Sequence, residues 1–216
     1  MRRSIIFIFI AVIISYADNT LKEIYDAAGP GDGYDKLVIL EKGKLYKGGL
    51  FIGKFFNPVT LEFEDVDEKT VKIEGNGAII DLMNGQMHIA YSKNYLDIDS
   101  CVIINGTLRY TGHHDGEMYV LPYGKINNVT FYNSIDYGIR MEGSGENMDI
   151  KNNLAMNCRN TRGDFDQYHS TPSDIIRTGT SYSFSIFSWN GFPDIYNNWS
   201  YNKIYKPDSL LNFSRL

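Results

Sequence analysis

The stretch LDIDSCVIIN, residues 96–105, and its echo KINNVTFYN, residues 125–133, decide the fold. Each carries an isoleucine followed seven residues later by an asparagine, Ile98 with Asn105 and Ile126 with Asn133. The phrase returns in DIKNNLAMN, residues 149–157, as Ile150 with Asn157, and in DIYNNWSYN, residues 194–202, as Ile195 with Asn202. The anchors lie 28, 24 and 45 residues apart, the last about twice 22. Asn128, Asn152 and Asn197 follow their isoleucines by two residues, and Ser100 holds that place in the first copy. An earlier, weaker copy begins at Ile73 and has Ile80 where the asparagine would fall. A repeat of roughly 20 to 30 residues is the mark of a solenoid, whose units bury their apolar faces only by stacking.

The segments around the repeat are short and alternate with period two. Val71 and Ile73 alternate with Lys72 and Glu74, and Leu96 and Ile98 with Asp97 and Asp99. Val59, Leu61 and Phe63 alternate with Thr60, Glu62 and Glu64. Such alternation marks half-buried strands, and strands this short at this period suit a parallel β-helix. Stacking predicts a column of Ile98, Ile126, Ile150 and Ile195, with the asparagines forming an inward-facing amide ladder. The interval between Ile150 and Ile195 predicts one further coil of irregular sequence, with strands near 174–176 and 184–187. The count is then about seven coils.

The ends read differently. Arg2 and Arg3, the apolar run Ile5 to Ile14 and the small-residue end Ser15-Tyr16-Ala17 make a secretory signal peptide over residues 1–17. The remainder, 18–216, is one domain. Thr20-Leu21-Lys22-Glu23 is a capping box that opens a short helix ending near Ala28. The net charge is −5, and −7 once the two arginines of residues 1–17 are removed. An acidic exported chain is a poor nucleic-acid binder, which needs a basic surface. The expected location is secreted, periplasmic or at the cell surface, with no membrane partner once the signal is gone. Cys101 and Cys158 fall two layers apart, roughly 9 to 10 Å, too far to bridge. Two separate buried thiols are expected.

These residues resemble the right-handed parallel β-helix proteins of the pectin-lyase-like superfamily. The opening helix, Asp26-Ala27-Ala28-Gly29-Pro30-Gly31-Asp32, the run Leu37 to Leu40 and the pair Gly48-Gly49 look like that family's N-terminal cassette. Ile73-x-Gly75-x-Gly77-Ala78-Ile79-Ile80-Asp81 looks like its first full coil. The resemblance implies an all-β stack with a short N-terminal capping helix and a polysaccharide-binding groove along one sheet. It does not carry over a catalytic set. The Asn-Thr-Asp, Gly-His-Gly and Arg-Ile-Lys elements of polygalacturonases are absent, and so are the Trp-x-Asp-His and Arg-x-Pro-x-x-Arg elements of pectate lyases.

Three polar groups outside the repeat are the chemical candidates. His113 and His114, with Asp115 and Glu117, could supply imidazole and carboxylate as metal ligands or for acid–base work; in a strand adjacent histidines would face opposite ways, and in a Gly-flanked turn they are solvated. Arg140 could neutralise a uronate carboxylate while Tyr137 or a lysine takes a proton, with Glu142 nearby; the plain alternative is an outward arginine paired with an acid. Asp164, Asp166 and His169, with Arg109 and Tyr110, are candidate substrate contacts. The two aspartates could hold Ca²⁺; no other cofactor or metal is implied. Three functions stay open: an enzyme, most naturally a polysaccharide lyase on an acidic glycan; a non-catalytic glycan-binding or surface module; and a fibre-like stack. Leu210 to Phe213 give no polar cap, so three expectations stay open: a truncated chain, oligomerisation through the C-terminal end, or a tail folded across that end. The sequons at Asn105, Asn128 and Asn198 read as structural coincidences, with Asn105 and Asn128 in the repeat register and expected to point inward.

Overall fold

A computed structural model describes residues 20–90, 95–111, 113–115, 118–120, 123–134, 137–142 and 147–158, and the strands Ile175–Arg177, Phe184–Phe187, Asp194–Tyr196, Trp199–Asn202 and Asn212–Arg215. The residues assigned to a signal peptide lie outside these. Among the described residues no helix is long and apolar enough to cross a membrane.

The chain is mostly β, with one short helix and three largely parallel sheets visited in turn. This architecture is compatible with a solenoid. The first sheet stacks Lys36–Ile39, Val71–Glu74, Tyr95–Asp99, Tyr123–Asn127, Asn147–Lys151 and Asp194–Tyr196. The second stacks Leu45–Lys47, Ile79–Asp81, Val102–Ile104, Thr130–Tyr132, Leu154–Met156 and Trp199–Asn202, and ends in the antiparallel strand Asn212–Arg215. The third stacks Phe51–Asn57, Gln86–Ala90, Thr107–Thr111, Ile139–Glu142 and Phe184–Phe187. Glu62–Asp67 and Ile175–Arg177 close its two edges in antiparallel pairing.

The register follows the repeat. Ile73 pairs with Ile98, Ile98 with Ile126, Ile126 with Ile150, and Ile150 with Ile195. Val38, Ile73, Ile98, Ile126 and Ile150 are all buried, forming one interior column. Tyr46, Ile80, Ile103, Phe131 and Ala155 form the column of the second sheet. Ile52, Ile89, Tyr110 and Met141 form that of the third. Burying one such side chain contributes about 1.5–3 kcal/mol.

The pairing of Ile150 with Ile195 corrects the expectation of an intervening coil. The 45-residue interval advances the stack by one layer only: Leu154–Met156 and Phe184–Phe187 hold its second- and third-sheet places, and Ile175–Arg177 pairs antiparallel with Phe184–Phe187. The described strands therefore pass through the first sheet six times, against an expectation of about seven coils. The C-terminal Asn212–Arg215 pairs back on Trp199–Asn202. Residues 58–61 form a turn, where alternation alone predicts a strand.

The asparagines do a different job from the one predicted. Asn105, Asn133 and Asn157 adopt φ of 54°, 59° and 58°, and Ser100, Asn128 and Asn152 each adopt 55°. They are the two left-handed corners of each coil. Asparagine tolerates that conformation better than other residues bearing a side chain. At each corner the main chain still pairs with the next layer: Asn105 N–H donates to Tyr132 O and Asn133 N–H to Met156 O. A short amide chain does exist, from Asn133 Nδ2 to Asn105 Oδ1 (2.8 Å) and from Asn105 Nδ2 to Asp81 Oδ1 (3.0 Å). It runs along the outside, and Asn128 and Asn133 are exposed rather than inward-pointing. The inward polar residue is Asn153. It is buried, accepts from Val129 N–H (2.9 Å) and donates to Ile126 O (2.7 Å).

The helix Leu21–Ala27 packs Leu21 and Tyr25 onto the start of the stack. Its capping box is formed by Thr20 and Glu23 in both directions. Lys36 Nζ donates to Tyr25 O, Asp26 O and Ala28 O, closing the helix C-terminus. Both cysteines are free and buried, as the layer spacing predicts.

Candidate functional site

The lengths of the connections point to one sheet. Between the first and second sheets only two residues intervene at Ser100-Cys101, Asn128-Val129 and Asn152-Asn153. The long excursions, from Asn57 to Val71, from Thr111 to Tyr123 and from Met156 to Phe184, all begin or end on the third sheet. Rigid scaffolds carry binding residues beside such excursions.

The outward faces differ in chemistry. On the first sheet the outward column runs Lys72, Asp97, Lys125, Asp149, alternating in sign. Its charges are paired: Lys125 with Asp97 at 3.9 Å, Lys72 with Asp32 at 2.9 Å and Glu74 at 2.8 Å, and Asp149 with Lys151 at 2.8 Å. On the second sheet Leu45, Ile79, Val102, Thr130 and Leu154 form one outward column and Lys47, Asp81, Ile104, Tyr132 and Met156 another. On the third sheet the column runs Phe51, His88, Arg109, Arg140. By register it continues to Ser185 and then Arg177. Phe51, His88, Arg109 and Arg140 are half-buried. Phe51 meets the His88 ring edge-on at 5.4 Å between centroids. His88 Nε2 lies 2.9 Å from Thr111 Oγ1, across one layer.

This column joins two of the predicted residues, Arg109 and Arg140, in direct register. Successive strands are about 4.8 Å apart, so two guanidiniums project side by side on a chain of net charge −5. Guanidinium presents its donors as a rigid fork matched to carboxylates.

The other predicted residues separate from this pair. Tyr110 is a correction: its ring is fully buried and crosses the interior, its hydroxyl donating to Leu96 O at 2.9 Å. It serves the core, where a glycan cannot reach it. Burial raises its ionisation well above the ordinary range. Tyr137 is only 8% exposed, and its carbonyl accepts from Thr107 Oγ1 at 2.8 Å. Burial makes it a poor proton acceptor for a polymer outside. His113 and His114 lie in the strand His113–Asp115, paired antiparallel with Met118–Val120, rather than in a turn. That hairpin follows directly on the Arg109 strand. Glu142 ends the Arg140 strand, in register with Thr111. Asp164, Asp166 and His169 lie outside the described residues, as does Glu117. Among the described residues no group of three histidine, cysteine or acidic side chains could hold a metal ion.

Phe51 and His88 are the residues that sequence reasoning missed. Their signal was faint: His88 sits between buried Met87 and Ile89, an alternation like that around Arg109. No family model, curated protein or solved structure matches the chain.

Proposed function

We propose that the chain is an exported right-handed parallel β-helix, of the pectin-lyase-like kind, that binds an acidic polysaccharide along its third sheet. The observation that carries this reading is the column Phe51, His88, Arg109, Arg140. A polymer lying along the stack would offer successive carboxylates to Arg109 and Arg140, in charge-assisted pairs. Phe51 would supply an apolar edge for a sugar ring. The first sheet alternates its cations with acids, and the second carries Lys47 beside Asp81, so neither sets two cations in adjacent register. The test is titration with oligomers of pectate, alginate and a glycosaminoglycan. Saturable binding that weakens with salt supports the reading, and no binding to any acidic glycan contradicts it.

A second reading, lyase chemistry, is favoured by the place of His88 one layer from Arg109. Arginine on the uronate carboxylate would acidify the C5 proton, and neutral His88 would remove it. The C5–H electron pair would form the C4–C5 double bond as the glycosidic oxygen leaves C4 with the C4–O electron pair and takes a proton from solvent. His88 suits this role better than Tyr137, because it is half-buried on the outer face whereas Tyr137 is buried. Release of ultraviolet-absorbing unsaturated product, lost in His88→Ala with binding retained, would support it. Unchanged release in that variant would exclude His88.

A further inference from the structure

The third sheet also carries an arm that the glycan reading does not use. Phe51–Asn57 runs beyond its layer and turns back as Glu62–Asp67. The turn is built rather than loose. Leu61 N–H donates to Asn57 O at 2.9 Å, Asn57 Oδ1 accepts from Val59 N–H at 2.9 Å, and Asn57 Nδ2 donates to Glu64 Oε1 at 2.6 Å. Leu61 is held at φ 59°, a strained conformation for a bulky residue. Strain of this kind persists where the surroundings enforce it, and it clusters at functional positions. The arm presents Val59 at 88% exposure, Leu61 at 73%, Val66 at 58% and Phe55 at 53%. Glu62, Glu64 and Asp65 are exposed beside them. Phe55 pairs with Glu64, and Asn57 with Glu62, so the acids Glu62 and Glu64 and the Phe55 ring share one face.

An edge strand with acids is ordinarily protected from further pairing. Acids alone would serve that end; a rigid apolar tip would not. The partner chemistry that fits is a pair of adjacent cations in line with an aromatic group, and this chain carries one: Arg109 and Arg140, in the column that begins at Phe51. We propose that the arm docks on the third sheet of a second copy, placing Glu62 and Glu64 against Arg109 and Arg140. Each copy owns both the arm and the column, so a two-fold pair can satisfy both at once. The acids spaced two along a strand lie about 6.6 Å apart, within the reach of two arginines one layer apart. A membrane is the less suitable partner, because the acids would be repelled by anionic headgroups. The docked arm would cover the column, so self-association and occupancy by an acidic polymer would be mutually exclusive.

The test is sedimentation equilibrium across a wide concentration range, with folding checked by circular dichroism. Wild type is expected to pair, and the Glu62→Lys/Glu64→Lys and Arg109→Glu/Arg140→Glu variants to stay monomeric. An equimolar mixture of the two variants is expected to recover a heterodimer, since each then supplies one opposite-sign contact. Oligogalacturonate is expected to dissociate the wild-type pair. Monomeric wild type at every concentration, or pairing that survives both charge reversals, would overturn the proposal. Binding of the arm to uncharged lipid vesicles by a monomeric wild type would overturn it in favour of a membrane. Pairing without any glycan binding leaves this proposal standing while defeating the glycan reading.

Discussion

At the scale of single residues, the repeat is a code for corners. Asn105, Asn133 and Asn157 are retained because a left-handed bend costs most other residues about 1–2 kcal/mol. Asn133→Gly is therefore expected to be nearly neutral, and Asn133→Val to lose about 1–2 kcal/mol in urea unfolding. Asn153 is different, because its amide satisfies a buried N–H and a buried carbonyl. Asn153→Leu should cost about 2–4 kcal/mol, since each abandoned group bears its own desolvation penalty of about 1–3 kcal/mol. Gly124 shows how tightly the layers meet. It adopts φ 151°, and a Cβ there would lie 2.2 Å from Leu96 O and 3.1 Å from the Tyr110 hydroxyl. Gly124→Ala is expected to destabilise by more than about 3 kcal/mol. That change would also break the contact by which Tyr110 spans the interior.

At the scale of elements, the first two sheets were legible and the third was not. The isoleucines fix the register of the first sheet, and a two-residue corner carries that register onto the second. The corner into the third sheet varies: four residues at 82–85, two at 105–106 and six at 133–138. Counting from the isoleucine therefore cannot align His88, Arg109 and Arg140, although Cα pairing places them side by side. The same variation hid the return of the 45-residue interval to the adjacent layer, because an excursion and an extra coil have similar lengths. Tyr110 follows from the same register: its neighbour Arg109 faces out, so period two puts Tyr110 inside. The sheet also sets a control for function. Losing one charge-assisted arginine contact costs about 1.5–3 kcal/mol, a roughly ten- to hundredfold loss of affinity. Arg109→Ala and Arg140→Ala are each expected to weaken acidic-glycan binding by that factor, measured by calorimetric titration. Lys72→Ala and Lys125→Ala, on the first sheet, where cations alternate with acids, should leave it unchanged.

At the scale of the whole molecule, the stack holds its ionisable interior in the neutral form. Burial, with a smaller contribution from Asp99, pushes the Cys101 thiol up to about 12, and burial pushes Cys158 up to about 11, from 9.0. Tyr25 is raised as well, by burial and by its hydrogen bond to Asp67. Groups raised in the folded state stabilise fully below their unfolded values, and that stabilisation is lost as pH rises through the folded ones. Stability should therefore fall between pH 9 and about 12, and alkylation of both thiols at about pH 8 should await global unfolding. The most direct measurement of the central claim is binding of an acidic oligosaccharide to wild type, Arg109→Ala/Arg140→Ala and Lys72→Ala/Lys125→Ala, at equal thermal stability. Loss of binding in the arginine pair alone is the predicted result, and equal binding by all three proteins would contradict it.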